Sequence, residues 1–248
     1  MRILILGGTA DAASLSQSLA ERPATGVILS LAGRTRAPSP VPVPTRSGGF
    51  GGAEGLRDWL LHTRIDAVID ATHPFAAMIS QNAAMACAAC DLPLLAFRRA
   101  PWTRVAGDRW IDVASMVEAA AALGSQPRRV FLTIGRQELA AFATAPQHVY
   151  LVRTIEPIGD ALPVPQVTAL QARGPFDEAA DSALLRDHGI DMLVSKNSGG
   201  IATYGKIAAA RALSLPVVMV SRPDKPDGPF TESLDDALAW VEAHRPAP

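Results

Sequence analysis

The feature that most constrains this chain is a recurring order: a short apolar run, a turn rich in glycine or polar residues, then an alanine-rich helical stretch. Residues 2–6 (RILIL), 26–31 (GVILSL), 66–70 (DAVID) and 93–97 (PLLAF) read as strands, with helices over 10–21, 54–63 and 74–90 between them. Beyond the connecting segment 98–110, strands follow at 129–134 (RVFLTI), 148–153 (HVYLVR), 166–171 (QVTALQ), 191–195 (DMLVS) and 216–220 (PVVMV). Helices are expected over 114–123, 136–143, 176–188, 205–213 and 233–244. Near-continuous apolar strands separated by helices are what a parallel sheet covered on both faces requires. Two such series predict an α/β protein of two Rossmann-like units, residues 1–100 and 101–248, with a ligand cleft between them. A terminal strand or helix is free to pack on the opposite unit.

The bulk properties narrow the function. The chain of 248 residues carries 23 basic and 24 acidic side chains, a net charge of −1. No global field therefore favours nucleic acid or an anionic membrane, and an anionic ligand must be met by locally gathered arginines. No apolar run approaches the ~20 residues that cross a bilayer, and Ile3–Leu6 is too short for the core of a signal peptide, so a cytoplasmic protein is expected. Cys87 and Cys90 form one CAAC spacing inside a helical run, with no second pair to complete a zinc site, and read as two buried thiols. The segment 34–52 gathers proline and glycine. Its proline half reads as extended and its glycine half as mobile, either a surface connector or a flap beside a ligand.

In parallel α/β sheets ligands bind beyond the carboxyl ends of the strands, so motifs there carry the chemistry. Gly7, Gly8, Thr9 and Ala10 follow the first strand and open a helix, where backbone N–H groups face a phosphate and the missing side chains allow close approach. The second strand ends Ala32-Gly33-Arg34-Thr35-Arg36, without the carboxylate that binds the ribose of NAD. The planar forks of Arg34 and Arg36 suit a 2′-phosphate, so NADP(H) is the better fit. Asp70-Ala71-Thr72-His73-Pro74-Phe75-Ala76 ends another strand, with Pro74 suited to a first helical turn and Thr72 and His73 near the cap. Ser195-Lys196-Asn197-Ser198-Gly199-Gly200 makes an anion-binding turn after the strand 191–195 but lacks the G-x-x-x-x-G-K-[ST] pattern of ATP hydrolysis. Gly135-Arg136, Arg153 and Arg222 add basic groups at the same edge, a mouth for a ligand with several carboxylates. No acidic pair, Ser/His/Asp order or metal-ligand cluster competes.

In ILGGTADA, DATHPFA, IGRQEL, the SKNSGG…K.AAA stretch (195–210) and LPVVMVSRP (215–223), the chain resembles the precorrin-6A reductases of cobalamin biosynthesis. These motifs span residues 3 to 223. The resemblance implies an NADPH-dependent oxidoreductase that delivers hydride to C19 of the precorrin-6A macrocycle, giving precorrin-6B. It assigns Gly8, Thr9, Arg34, Arg36, Thr72 and His73 to the cofactor side, in the unit 1–100. It assigns Arg136, Arg153, Lys196, Asn197 and Ser198, with the adjoining Gly199 and Gly200, to the side of an anionic tetrapyrrole. His73 and Lys196 are the candidate proton donors or substrate orienters. Transfer contacts with neighbouring pathway enzymes fit the same picture. Three alternatives stay open: the cobalt-precorrin-6A reductase of the oxygen-independent pathway, a non-catalytic NADP-binding regulator, and a glycosyltransferase-like enzyme acting on a nucleotide sugar.

Overall fold

A computed structural model describes residues 1–33 and 40–245 of the chain. Two compact units are present, one formed by Met1–Ala100 together with Pro223–Pro248 and the other by Pro101–Arg222. The chain from Pro223 onward is thus part of the first unit, not of a block 101–248.

The first unit holds a six-stranded parallel sheet in the order β12-β5-β4-β1-β2-β3. Its strands are β1 (Arg2–Leu6), β2 (Gly26–Leu31), β3 (Thr45–Ser47), β4 (Ala67–Asp70), β5 (Leu94–Phe97) and β12 (Phe230–Thr231). Helices α1 (Ala10–Ala20), α2 (Gly52–Thr63), α3 (Ala77–Ala89) and α7 (Leu234–Ala243) cover it. Ile3 and Ile5 on one face of β1 join Leu15, Leu19 and Val241, while Leu4 and Leu6 on the other join Leu56, Leu60 and Ala83. This is why RILIL is apolar without alternation: both faces are buried.

The second unit repeats the design in the order β6-β11-β10-β7-β8-β9, again all parallel. Its strands are β6 (Arg109–Val113), β7 (Arg129–Thr133), β8 (Val149–Thr154), β9 (Val167–Gln171), β10 (Met192–Lys196) and β11 (Pro216–Val220). Helices α4 (Met116–Ala121), α5 (Glu178–Asp187) and α6 (Gly205–Ala212) complete it, and the expected helix 136–143 is a 3-10 segment, Arg136–Thr144. Ser115 and Asp177 cap α4 and α5 by accepting from the Glu118 and Ala180 N–H groups.

Three strands escape the sequence reading. β3 lies inside the proline- and glycine-rich segment, β6 begins within the connecting segment 98–110, and β12 has two residues. All three are edge strands, and an edge strand buries too little to show a continuous apolar run. β6 and β12 also exchange the expected order: the strand after β5 belongs to the second sheet, and the strand after β11 returns to β5.

The returning segment is fastened by a buried cluster at the end of β4. The Asp70 carboxylate, 2% exposed, accepts from the Thr72 N–H at 3.1 Å and from the Thr72 and Ser80 hydroxyls. Lys225 lies 3.6 Å from Asp70 and donates to Thr72 Oγ1 at 3.1 Å. Removing one partner of a buried pair leaves a charge uncompensated. Lys225→Met is therefore expected to lower unfolding stability by about 3 kcal/mol. Adding Asp70→Asn to that variant is expected to recover part of the loss, both measured by urea denaturation followed by circular dichroism.

Candidate functional site

In the first sheet the strand order reverses between β1 and β4, and in the second between β7 and β10. Open parallel sheets bind ligands beyond the carboxyl ends of the strands at such a switch point. The turns singled out at Gly7-Gly8-Thr9, 70–76, Gly135-Arg136 and 195–200 meet these four strand ends and form two turn pairs, one in each unit, whereas Ala32-Gly33 follows β2, Arg153 lies in β8 and Arg222 follows β11.

In the first unit, β1 ends at Gly7-Gly8-Thr9. A Cβ on Gly7 would stand 2.5 Å from Leu29 Cδ1, so this glycine is required by packing against β2. Gly8 has φ +106, a left-handed conformation, and nothing lies within 4 Å of where its Cβ would be. Thr9 caps α1 by accepting from the Ala12 N–H at 3.0 Å and donates its hydroxyl proton to Ala71 O at 2.8 Å. The β1 turn is thereby locked to the β4 turn, and the first-turn N–H groups of Ala10 and Asp11 remain for a ligand. Asp11 would oppose an anion there, but Arg99 pairs with it at 3.1 Å.

At the end of β4, Thr72 is buried by its bonds to Asp70 and Lys225. His73 Nδ1 accepts from the Phe75 N–H at 3.2 Å, so in the neutral ring Nε2 carries the hydrogen and is a donor. The helix begins at Ala77 rather than at Pro74, because residues 73–76 form a turn closed by the Ala76 N–H on His73 O. Arg34 and Arg36 lie outside the described residues. The neighbouring glycine stretch, expected to be mobile, is fastened by Arg46. Its guanidinium donates to Ser30 Oγ, Gly48 O and Gly49 O at 2.8, 3.0 and 3.0 Å and lies 3.8 Å over the Phe50 ring.

In the second unit, β7 leads through Gly135 (φ +94) to an exposed Arg136. Glu138, just beyond, accepts from Lys196 Nζ at 2.8 Å. Asn197 uses its side chain on the backbone of Trp102, accepting from its N–H at 2.8 Å and donating to its carbonyl at 3.0 Å. Trp102 Nε1 donates to Gly200 O, and Arg222 donates to the carbonyls of Asn197 and Ser198. Gly199 and Gly200 take φ of +67 and +81. Asn197, Ser198 and Arg222 thus build the turn, with Ser198 buried.

Arg153, expected at the mouth, is 8% exposed and forms a two-point ion pair with Asp181, packed 3.7 Å over the Phe176 ring. What it offers a ligand is field rather than an open fork. Close by is a residue that the sequence reading includes in the SKNSGG…K.AAA stretch but gives no role. Lys206, the second residue of α6, is 5% exposed, and the aromatic face of Trp102 lies 5.5 Å from its Nζ. Burial first, then repulsion from Arg153, pushes its amine down to about 7. Asp70, Lys225, Arg46, Glu138, Asp181 and Trp102 were likewise given no role; Lys225, Glu138, Asp181 and Trp102 work through partners distant in the chain.

Among the described residues no group of three or more His, Cys, Asp or Glu is placed to hold a metal ion, and no helix is long and apolar enough to cross a membrane. Burial pushes the Cys87 thiol up to about 12, and Cys90 is half-buried with Sγ 4.0 Å from Arg57 O. Cys87 thus lacks the low pKa of a reactive thiol.

Comparison with known proteins bears on this geometry. Residues 2–242 match the family described as Precorrin-6x reductase CbiJ/CobK. A precorrin-6A reductase from Sinorhizobium sp is 52% identical over 100% of this chain and 94% of its own length. A cobalt-precorrin-6A reductase from Priestia megaterium is 29% identical over 75% of this chain and 76% of its own. A solved structure named CobK precorrin-6A reductase superposes with a TM-score of 0.93 at 47% identity, covering 98% of this chain and 97% of that one. With two parallel sheets whose switch points carry the motifs, and a family match over nearly its whole length, the chain belongs to the precorrin-6x reductase CbiJ/CobK family.

Proposed function

We propose that this protein is an NADPH-dependent precorrin-6A reductase of cobalamin biosynthesis, working in the cytoplasm and adding hydride at C19 of the macrocycle to give precorrin-6B. The observation that carries the reading is the gradient of identity. Full-length relatives named for the metal-free substrate stand near half identity, and those named for the cobalt form stand below 30%. Cobalt, where present, is part of the substrate, so neither form needs a resident metal site.

The first turn pair fits a dinucleotide. The Gly8 backbone is open on the side where a Cβ would sit, and the Thr9 cap leaves helix-start N–H groups for a pyrophosphate. In this reading Gly7, Gly8, Thr9 and Ala10 hold the pyrophosphate, Arg34 and Arg36 the 2′-phosphate, and Thr72 and His73 the nicotinamide half. NADPH supplies the hydride when bound. The chain contributes positioning: Arg136, Lys196 and the Gly199-Gly200 N–H groups take carboxylates of the macrocycle. Asn197, Ser198 and Arg153 keep that turn and its field in place. Glu138 accepts from Lys196 at 2.8 Å and fixes its direction, which suits it to orienting a carboxylate.

The reading is tested by mixing the protein with NADPH and either metal-free or cobalt precorrin-6A and following cofactor and macrocycle absorption together. Equimolar loss of NADPH and metal-free substrate is expected, with slower turnover of the cobalt form. Tight NADP binding without reduction of either macrocycle would instead indicate a regulator. A phosphate contact of about 1.5–3 kcal/mol predicts that Arg34→Ala weakens NADPH by about 10- to 100-fold and NADH little, measured as KM for each. Lys196→Ala is expected to raise KM for the macrocycle while leaving KM for NADPH unchanged.

A further inference from the structure

We propose that Lys206 is the proton donor of the reaction, its ammonium giving a proton to the carbon framework as hydride is added. The inference rests on the reductase reading and supplies the acid that reading lacks. Adding hydride forms one C–H bond and displaces a π electron pair into the conjugated macrocycle. That pair takes a proton from Lys206, forming the second C–H bond as an N–H bond breaks. The macrocycle is reduced by two electrons, the hydride donor is oxidised, and the neutral amine left behind is reprotonated from solvent.

The charges around the second turn pair single out this amine. Three cations, Arg153 on β8, Lys196 on β10 and Lys206 on α6, face two carboxylates, Asp181 on α5 and Glu138 beyond β7. Asp181 is spent on Arg153 and Glu138 on Lys196. Among the described residues Lys206 makes no hydrogen bond or ion pair; the Trp102 ring lies 5.5 Å from its Nζ, and Asp181, which attracts it, is itself closed on Arg153. A buried ammonium without its own counter-ion gives up its proton readily. Lys196 is engaged by its ion pair with Glu138, and Arg153 by its ion pair with Asp181. Tyr204 is engaged as well, its oxygen accepting from Arg211.

The backbone fixes where the amine stands. A Cβ on Gly205 would lie 2.6 Å from Phe176 O, so α6 starts pressed against the segment that carries the partners of Arg153. Lys206 is also three residues past the 201–203 turn, which continues directly from Gly199-Gly200. Its amine faces the Trp102 ring, whose Nε1 donates to Gly200 O, and is tied in this way to the turn assigned to the macrocycle. It makes no ion pair that would have to break before a proton moves.

Two variants and one labelling measurement test the proposal. Lys206→Ala is expected to slow single-turnover reduction at saturating macrocycle by about 100-fold or more, the usual contribution of a positioned acid. Ethylammonium in solution should restore the rate in proportion to its concentration, and the fall in wild-type rate as pH rises through the neutral range should vanish in the variant. An unchanged rate with weaker macrocycle binding, or no rescue, would overturn the proposal and leave Lys206 a carboxylate anchor. Lys206→Met reports on the buried charge. The folded amine titrates near 7 and the unfolded one near 10.5, so the cost of charge is full below pH 7 and fades toward 10.5. The variant should accordingly unfold at higher temperature than wild type at pH 6, with the gain shrinking as pH rises. Independently of activity, reductive methylation of the wild type with formaldehyde and cyanoborohydride, read by peptide mass spectrometry, compares Lys206 with the chain's other two lysines, Lys196 and Lys225. Half-maximal modification near pH 7 at Lys206 alone, blocked by the macrocycle, is the expected result. Modification of Lys206 only in step with the others at alkaline pH would overturn the proposal even where reductase activity is intact. A wild type that labels as expected but reduces no macrocycle would overturn the reductase reading and the donor role together.

Discussion

The reversal of strand order at β1/β4 and at β7/β10 is the constraint on which everything else depends. Each strand of a parallel sheet must be followed by a crossover, so its carboxyl end opens into a turn that the next helix leaves. Where winding changes direction, two such turns diverge and leave a crevice. The chain places its glycines, its helix starts and its basic side chains at these two points. Apolar strands buried on both faces then hold the turns from below, and the two Thr9 bonds, to Ala12 and Ala71, join one pair across its switch point.

Most polar groups at the second turn pair are spent on one another. Asn197 mimics a backbone pairing with Trp102, Arg222 gathers two carbonyls, Arg153 closes on Asp181 and Lys196 on Glu138. Bonds of this kind fix a loop before a ligand arrives, which lowers the ordering cost of binding. What remains is limited and specific: an exposed Arg136, the backbone of Gly199-Gly200, and a buried amine at Lys206. The first unit follows the same economy. Asp70, Thr72, Ser80 and Lys225 form a closed cluster beneath the turn that presents His73.

Much of this was legible in the residues. RILIL, RVFLTI and PVVMV announce interior strands because both faces are buried, and the turns after them announce ligand positions because strand ends in such sheets do little else. The edge strands were not legible: RWIDV has no buried position, only exposed and half-buried ones, and β12 has only two residues. Nor does sequence tell a basic residue facing a ligand from one paired inside. Arg153 and Arg136 look alike in the chain, yet one is closed on Asp181, 28 positions away, and the other is exposed. The signal for Lys206 was present but quiet. It is a single lysine opening GKIAAARA, a helix whose first six residues are all buried.

The central claim is a division of labour, with the turns after β1 and β4 taking the dinucleotide and those after β7 and β10 taking the macrocycle. Amide hydrogen exchange of the whole chain, measured with each ligand alone, tests it most directly. NADPH alone should protect residues 7–12 and 71–76 and leave 135–138 and 196–206 unchanged, and precorrin-6A alone should do the reverse. Protection of the 196–206 amides by NADPH, with 7–12 unaffected, would contradict the account.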